Sequence, residues 1–104
     1  MAVTVQVAYP SEGTRFDHAY YAATHMPLVL EHLGPKGLVS AAASRGVAGG
    51  APGAAAPFHA IATLTWPDLD TLQAGMAEAG PVLEDIPNFT DARPLVMIGE
   101  VIGG

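Results

Sequence analysis

Valines alternate with polar or small residues at the start of the chain: Val3, Val5 and Val7 against Thr4, Gln6 and Ala8. A period of two marks a strand, Val3 to Tyr9. Pro10 to Thr14 contains proline, serine and glycine and predicts a loop. Asp17 is placed to cap a helix, because its carboxylate can accept from the free amides of a first turn. That helix is expected to run to about Leu33, where Gly34-Pro35 stops it. Leu38 to Arg45 is a second strand, weakened by its alanines. Gly46 to Pro57, rich in Gly, Ala and Pro, predicts a flap or plain connector. Phe58 to Trp66 is a clear strand, with Phe58, Ala60, Ala62, Leu64 and Trp66 on one face and His59, Ile61, Thr63 and Thr65 on the other. Asp68 caps a second helix whose Leu69, Leu72, Met76 and Ala79 share a face, and Gly80-Pro81 marks its end. A short irregular segment with Pro87-Asn88 leads to a last strand, Leu95 to Ile102.

The order β-α-β-β-α-β is the ferredoxin-like pattern, an α+β fold with two helices on one face of a four-stranded antiparallel sheet. In the last strand Leu95 and Met97 point one way while Val96 and Ile98 point the other. A strand apolar on both faces is buried on both faces, and the helices can cover only one. The pattern therefore predicts a homodimer in which two sheets pack face to face.

Composition narrows the function classes. The 104 residues suffice for one domain, residues 1–104, and half of them are hydrophobic while 13% are charged. The net charge is −6, and the permanent cations Arg15, Lys36, Arg45 and Arg93 are scattered. Without a basic stripe to neutralise phosphates, the reading is no nucleic acid partner and no anionic membrane surface. There is no cysteine, which excludes disulfides, thiol catalysis and thiolate metal sites. No basic leader and no apolar run of about 20 residues occurs, so a cytoplasmic protein is expected.

The most chemically suggestive segment lies in the first helix: Tyr20-Tyr21 followed by Thr24-His25-Met26-Pro27. Pro27 has no amide hydrogen and its ring crowds the Ala23 carbonyl, so a kink or break is expected. A break would leave unpaired backbone groups beside an imidazole, which can act as acid, base or hydrogen-bond donor near neutral pH. The alternative is a surface histidine beside a structural kink. An ideal helical wheel supports that alternative, placing Phe16, Tyr20, Ala23, Pro27 and Leu30 on one face and His25 opposite. His18, His25 and His32 recur every seven residues, too far apart along a helix for one metal ion. No metal site is expected, and His18 and His32 are read as surface residues. His59 can reach a pocket or an interface, or serve structure alone. Trp66 and Phe58 can line a pocket or simply fill the core. Glu84-Asp85 is an acidic pair; paired carboxylates can do acid–base work, and the preferred reading is an exposed turn. The glycine-rich stretch from Gly46 to Gly53 lacks the Gly-Lys-Ser/Thr ending of a phosphate loop, and no Gly-x-Ser-x-Gly elbow is present.

Together these residues resemble the EthD family, named for a protein of ethyl tert-butyl ether degradation. The resemblance runs through Tyr9-Pro10, Phe16-Asp17, Tyr20-Tyr21, Thr24-His25-Met26-Pro27-Leu28 and Gly34-Pro35. It continues in Arg45-Gly46, Gly49-Gly50-Ala51-Pro52-Gly53 and Asp85-Ile86-Pro87-Asn88-Phe89-Thr90. It implies a dimeric α+β barrel with a cavity between helices and sheet, lined by the His25 segment. The wider group includes monooxygenases without cofactors, isomerases, cyclases and haem-handling enzymes, so the fold alone does not name a reaction.

Two function classes remain. One is an enzyme acting on an apolar oxygenated substrate, aromatic or polyketide-like, by proton transfer or cofactor-independent oxygenation. In it His25 is the catalytic group and Tyr20, Tyr21, His59 and Trp66 form the substrate wall. The other is a non-catalytic ligand-binding or accessory dimer. No cofactor motif is present; a haem would take His25 or His59 as axial ligand.

Overall fold

The computed structural model describes Met1–Gly104. Strand β1 (Val3–Pro10) lies between β3 (Phe58–Trp66) and β4 (Leu95–Glu100), and β2 (Ser40–Arg45) adds to the far edge of β3. The order β2-β3-β1-β4 is antiparallel throughout, as the ferredoxin-like reading requires. Register places Val3, Val5 and Val7 beside Trp66, Leu64 and Ala62, so the two alternating patterns share one apolar face. Helices cover that face. Helix α1 runs from His18 to Leu33, α2 spans Leu69–Met76, and a third short helix, α3, spans Gly80–Asp85.

The core lies between this face and the helices. Val5, Leu64 and Trp66 pack with Val29 and Leu33 of α1, Leu72 of α2 and Val82 of α3. A second cluster at the other end joins Tyr9, Tyr21, Ala60, Phe89 and Ala92. Gly75 in α2 permits the close approach of Trp66: a Cβ there would overlap the indole ring. Gly46 does the same where the chain leaves β2, since a Cβ would meet the Phe58 carbonyl. The stretch that follows is an arm closed by the bonds Gly49 N–H to Ala54 O, 2.8 Å, and Ala54 N–H to Ala51 O, 3.0 Å.

Three expectations need correcting. Gly80-Pro81 does not merely end the second helix; Pro81 opens α3, because a residue without an amide hydrogen costs nothing in a first turn. Leu69, placed on the buried face of α2, is exposed, and Gly75 is buried instead. Helix α1 does not break at Pro27. It absorbs the proline through a π-helical turn, Tyr21–His25, in which the Met26 amide reaches back five residues to the Tyr21 carbonyl. Pro27 then sits in the first turn of the α-helical part Met26–Leu33.

Strand β4 is apolar on both sides, as its sequence indicates. Leu95, Val96, Met97 and Ile98 are each 54–60% exposed. On the face away from the helices, Met97 lies beside Gln6 and Leu95 beside Ala8, with no layer above them.

Candidate functional site

The π turn decides where His25 points. A wheel of 3.6 residues per turn carries His25 away from the core. The extra residue taken up between Tyr21 and His25 slows the rotation. The buried stripe becomes Tyr21, His25, Val29 and Leu33, at a spacing of four. Of the face expected from the ideal wheel, Ala23, Pro27 and Leu30 are exposed. His25 is 3% exposed, so it is not a surface histidine.

Asp85 meets it from the end of α3. Asp85 Oδ2 lies 2.9 Å from His25 Nδ1. Its other oxygen accepts from the Tyr20 hydroxyl at 2.6 Å and from Asn88 Nδ2 at 3.0 Å. The expectation of an exposed acidic turn holds for Glu84 and fails for Asp85, whose side chain is 11% exposed. Burial pushes the Asp85 carboxyl up, but the bonds from Tyr20, Asn88 and His25 outweigh this and hold it below the usual carboxylate range. An ionised carboxylate only accepts, so His25 Nδ1 carries the hydrogen and Nε2 is the free ring nitrogen.

Aromatic rings fix the imidazole in place. Tyr21 stacks on it at 5.5 Å between ring centres and 15° between planes, and Phe89 lies against it at 4.6 Å. Tyr21 is buried, and its hydroxyl has no hydrogen-bond partner. That burial pushes its pKa up to about 12. Tyr9, which packs on Tyr21 at 5.7 Å, is raised too, by burial first and by Tyr21 second.

Two cavities share Tyr21 and Met26 as a common wall. The inner one, about 80 Å³, lies between helices and sheet and is lined by His25, Tyr9, Val7 and Ile86. The outer one, about 470 Å³, runs between α1 and β2 and is lined by Pro27, Leu30, Ala41 and Ala43. The alanines that weaken β2 as a strand leave this space open. His18 and Arg45 also line it, so His18 is a cavity residue rather than a plain surface one. His32 stays on the outside of α1, with Nε2 2.7 Å from the Glu78 carbonyl oxygen.

The structure thus brings His25, Tyr20 and Tyr21 together and keeps the other two predicted wall residues apart. Trp66 is fully buried in the main core and lines neither cavity. His59 falls at an irregularity in the pairing: Tyr9 faces Ala60 and Pro10 faces Phe58, so His59 opposes no β1 residue. The extra residue turns its ring from the Ile61-Thr63 face onto Phe16, 5.2 Å away, with its Nε2 2.9 Å from Thr14 Oγ1. Asp85, which the sequence places in an exposed acidic turn, is the functional candidate that sequence reasoning misjudged. Its signal was Pro81, a helix start that aims Asp85 at α1.

A haem does not fit these residues. His25 is enclosed, with Nδ1 engaged, beside a space of about 80 Å³. His59 is held between Thr14 and the Phe16 ring.

Comparison with known proteins agrees with the fold. The sequence model of the EthD domain matches residues 10–93. An EthD-like protein of Ralstonia eutropha JMP134 is 38% identical, with a TM-score of 0.89 over 98% of this chain and 93% of that one. An EthD family protein of Bacillus halodurans C-125 is 24% identical, with a TM-score of 0.75 over 98% and 100% of the two chains. SnoaB of Streptomyces nogalater, described as a cofactor-independent oxygenase, shares the fold at 13% identity, with a TM-score of 0.72 over 99% and 95%. No curated protein matches the sequence.

Proposed function

The chain belongs to the EthD family, and on that premise we propose that it is a small-molecule enzyme of catabolic or secondary metabolism. Its reaction is His25-assisted proton transfer on an apolar oxygenated substrate, aromatic or polyketide-like. The observation that carries this reading is the buried His25–Asp85 pair beside a cavity. Asp85 fixes the ring through Nδ1 and stabilises the imidazolium that forms when Nε2 accepts a proton; this is the orienting role a carboxylate plays toward a histidine base. The outer cavity has the size of a small-molecule site. A substrate there reaches His25 past Tyr21 and Met26, and Met26 is a flexible side chain that can re-pack. The Tyr21 hydroxyl, buried without a partner, is a donor for a substrate oxygen.

Proton removal from an acidic phenol or methylene leaves an electron-rich anion. Such an anion can reduce O₂ itself, giving oxygenation without a cofactor. SnoaB shows that a protein of this fold is described in those terms. We also propose that the protein works as a homodimer, since β4 presents four exposed apolar residues.

The test uses 1,8-dihydroxyanthrone, a phenol with an acidic methylene, and follows O₂ uptake. The wild type accelerates uptake over buffer, and His25→Ala lowers the rate by about 10²–10⁴-fold, the usual contribution of a general base. Full activity in His25→Ala overturns the mechanism. Binding without any acceleration favours a second reading, to which the tight enclosure of His25 lends support: a non-catalytic ligand-binding dimer in which the pair only ties α1 to α3.

A further inference from the structure

We propose that the outer cavity selects an anionic ligand, an apolar and preferably aromatic body carrying one carboxylate or phenolate, whose charge is held by Arg45 with His18 beside it. This rests on the reading that the outer cavity is the substrate site.

Helix α1 and strand β2 run in opposite directions along the cavity. His18, at the start of α1, therefore lies at the same end as Arg45, the last residue of β2. Leu30 and Ala41 lie at the other end, about 18 Å along the helix from His18 at its ordinary rise. The space is thus polarised: cationic and polar at one end, aliphatic at the other.

Arg45 is also uncompensated. Of the four permanent cations, Lys36 pairs with Glu78 at 2.9 Å. Arg15 donates to the Pro87 carbonyl at 3.2 Å. Arg93, like Arg15, forms no ion pair, and it lines neither the inner nor the outer cavity. Arg45 makes no ion pair with any carboxylate, although the chain carries a net charge of −6. It lines both the outer cavity and a smaller one of about 170 Å³ beside Phe58. The nearby acidic group, Asp17, is engaged as the cap of α1, accepting from the Tyr20 amide at 3.0 Å. His18 is held below its usual pKa by burial first and then by Arg45 and His59, while Asp17 acts in the opposite direction. A neutral His18 ring offers a hydrogen bond there without adding charge. A guanidinium at the rim of an apolar space binds a planar carboxylate by two parallel N–H bonds. Such a contact fixes which end of a ligand enters first, and so which atom reaches His25.

The experiment measures binding of 2-naphthoate and of its neutral counterpart 2-naphthamide by calorimetry, on the wild type, Arg45→Gln and Arg93→Gln. The wild type is expected to prefer naphthoate at least fivefold. Arg45→Gln abolishes that preference and leaves the naphthamide affinity within twofold. Arg93→Gln, which loses the same charge elsewhere, keeps the preference. Equal affinities for the two probes in the wild type overturn the inference while leaving the cavity as an apolar substrate site. An equal effect of both substitutions overturns it too, by showing a long-range field rather than a contact. Binding of neither probe overturns it as well; His25-dependent turnover of the anthrone would still stand on its own.

Discussion

Replacing Asp85 by alanine removes one carboxylate and three hydrogen bonds: from His25, Tyr20 and Asn88. The three partners do not suffer equally. Asn88 is exposed and Tyr20 half-buried, so both can turn to water. The His25 side chain is 4% exposed, and its Nδ1–H has nowhere to turn. A buried donor left unpaired costs about 1–3 kcal/mol, and the Tyr20 bond adds about 1. The expected loss is about 2–4 kcal/mol, a large part of the stability of a small domain. Asp85→Asn keeps the size and one acceptor oxygen and should lose about 1–2 kcal/mol. Urea unfolding followed by the fluorescence of the single, buried Trp66 reads both at one protein concentration. With a slope of about 1–3 kcal/mol per molar, the alanine variant's midpoint falls by about 0.7–4 M. An unchanged midpoint at unchanged slope would refute the claim that Asp85 satisfies a buried imidazole. The pH dependence carries the same signature. The folded Asp85 pKa is depressed, so its contribution is complete above the ordinary value of 3.8 and is lost as pH falls through the lower folded value. That acid-side loss should shrink in the alanine variant.

Further outcomes follow from neighbouring features. Tyr21 titrates near 12 when folded against an ordinary 10, and Tyr9 is also raised, so stability should decline as pH rises from 10 toward 12; an unfolding midpoint flat across that window contradicts their burial as neutral hydroxyls. Tyr21→Phe removes a hydroxyl without a partner, so thermal melts should show stability unchanged or raised while 2-naphthoate binding weakens; lowered stability would mean the hydroxyl is already bonded. Gly75→Ala presses a methyl group into the Trp66 ring and should cost about 1–3 kcal/mol in the same urea assay, whereas a neutral effect would place Trp66 further from α2. Met97→Glu should turn a dimer into a monomer by light scattering, and a wild type already monomeric at micromolar concentration sinks the dimer outright.

The sequence made the sheet legible because strand alternation is local. Val3, Val5 and Val7 and the Phe58–Trp66 run need only the period of two to show which face is buried. The site was legible in part. The aromatic pair and His25 were identifiable as chemistry, but their direction was not, because the ideal wheel assumes a constant turn and the π turn at Tyr21–His25 breaks that assumption. Pro27 signalled an irregularity without saying whether the helix would break or absorb it. Asp85 was hidden for a different reason. It joins His25 across 60 residues of sequence, and only the docking of α3 onto α1 brings them together. His59 was misdirected by one unpaired residue in β3, and Trp66 was a core residue all along.

Asp85 holds His25 with Nδ1 protonated and leaves Nε2 free to take a proton. Long-range ¹H–¹⁵N correlation spectra of the histidine rings, recorded where His25 is neutral, test it directly. The Nδ1–H form is expected for His25 in the wild type, and mixed tautomers in Asp85→Ala. An Nε2–H form in the wild type would contradict it, because the ring nitrogen not bound to Asp85 would then be a donor rather than a base.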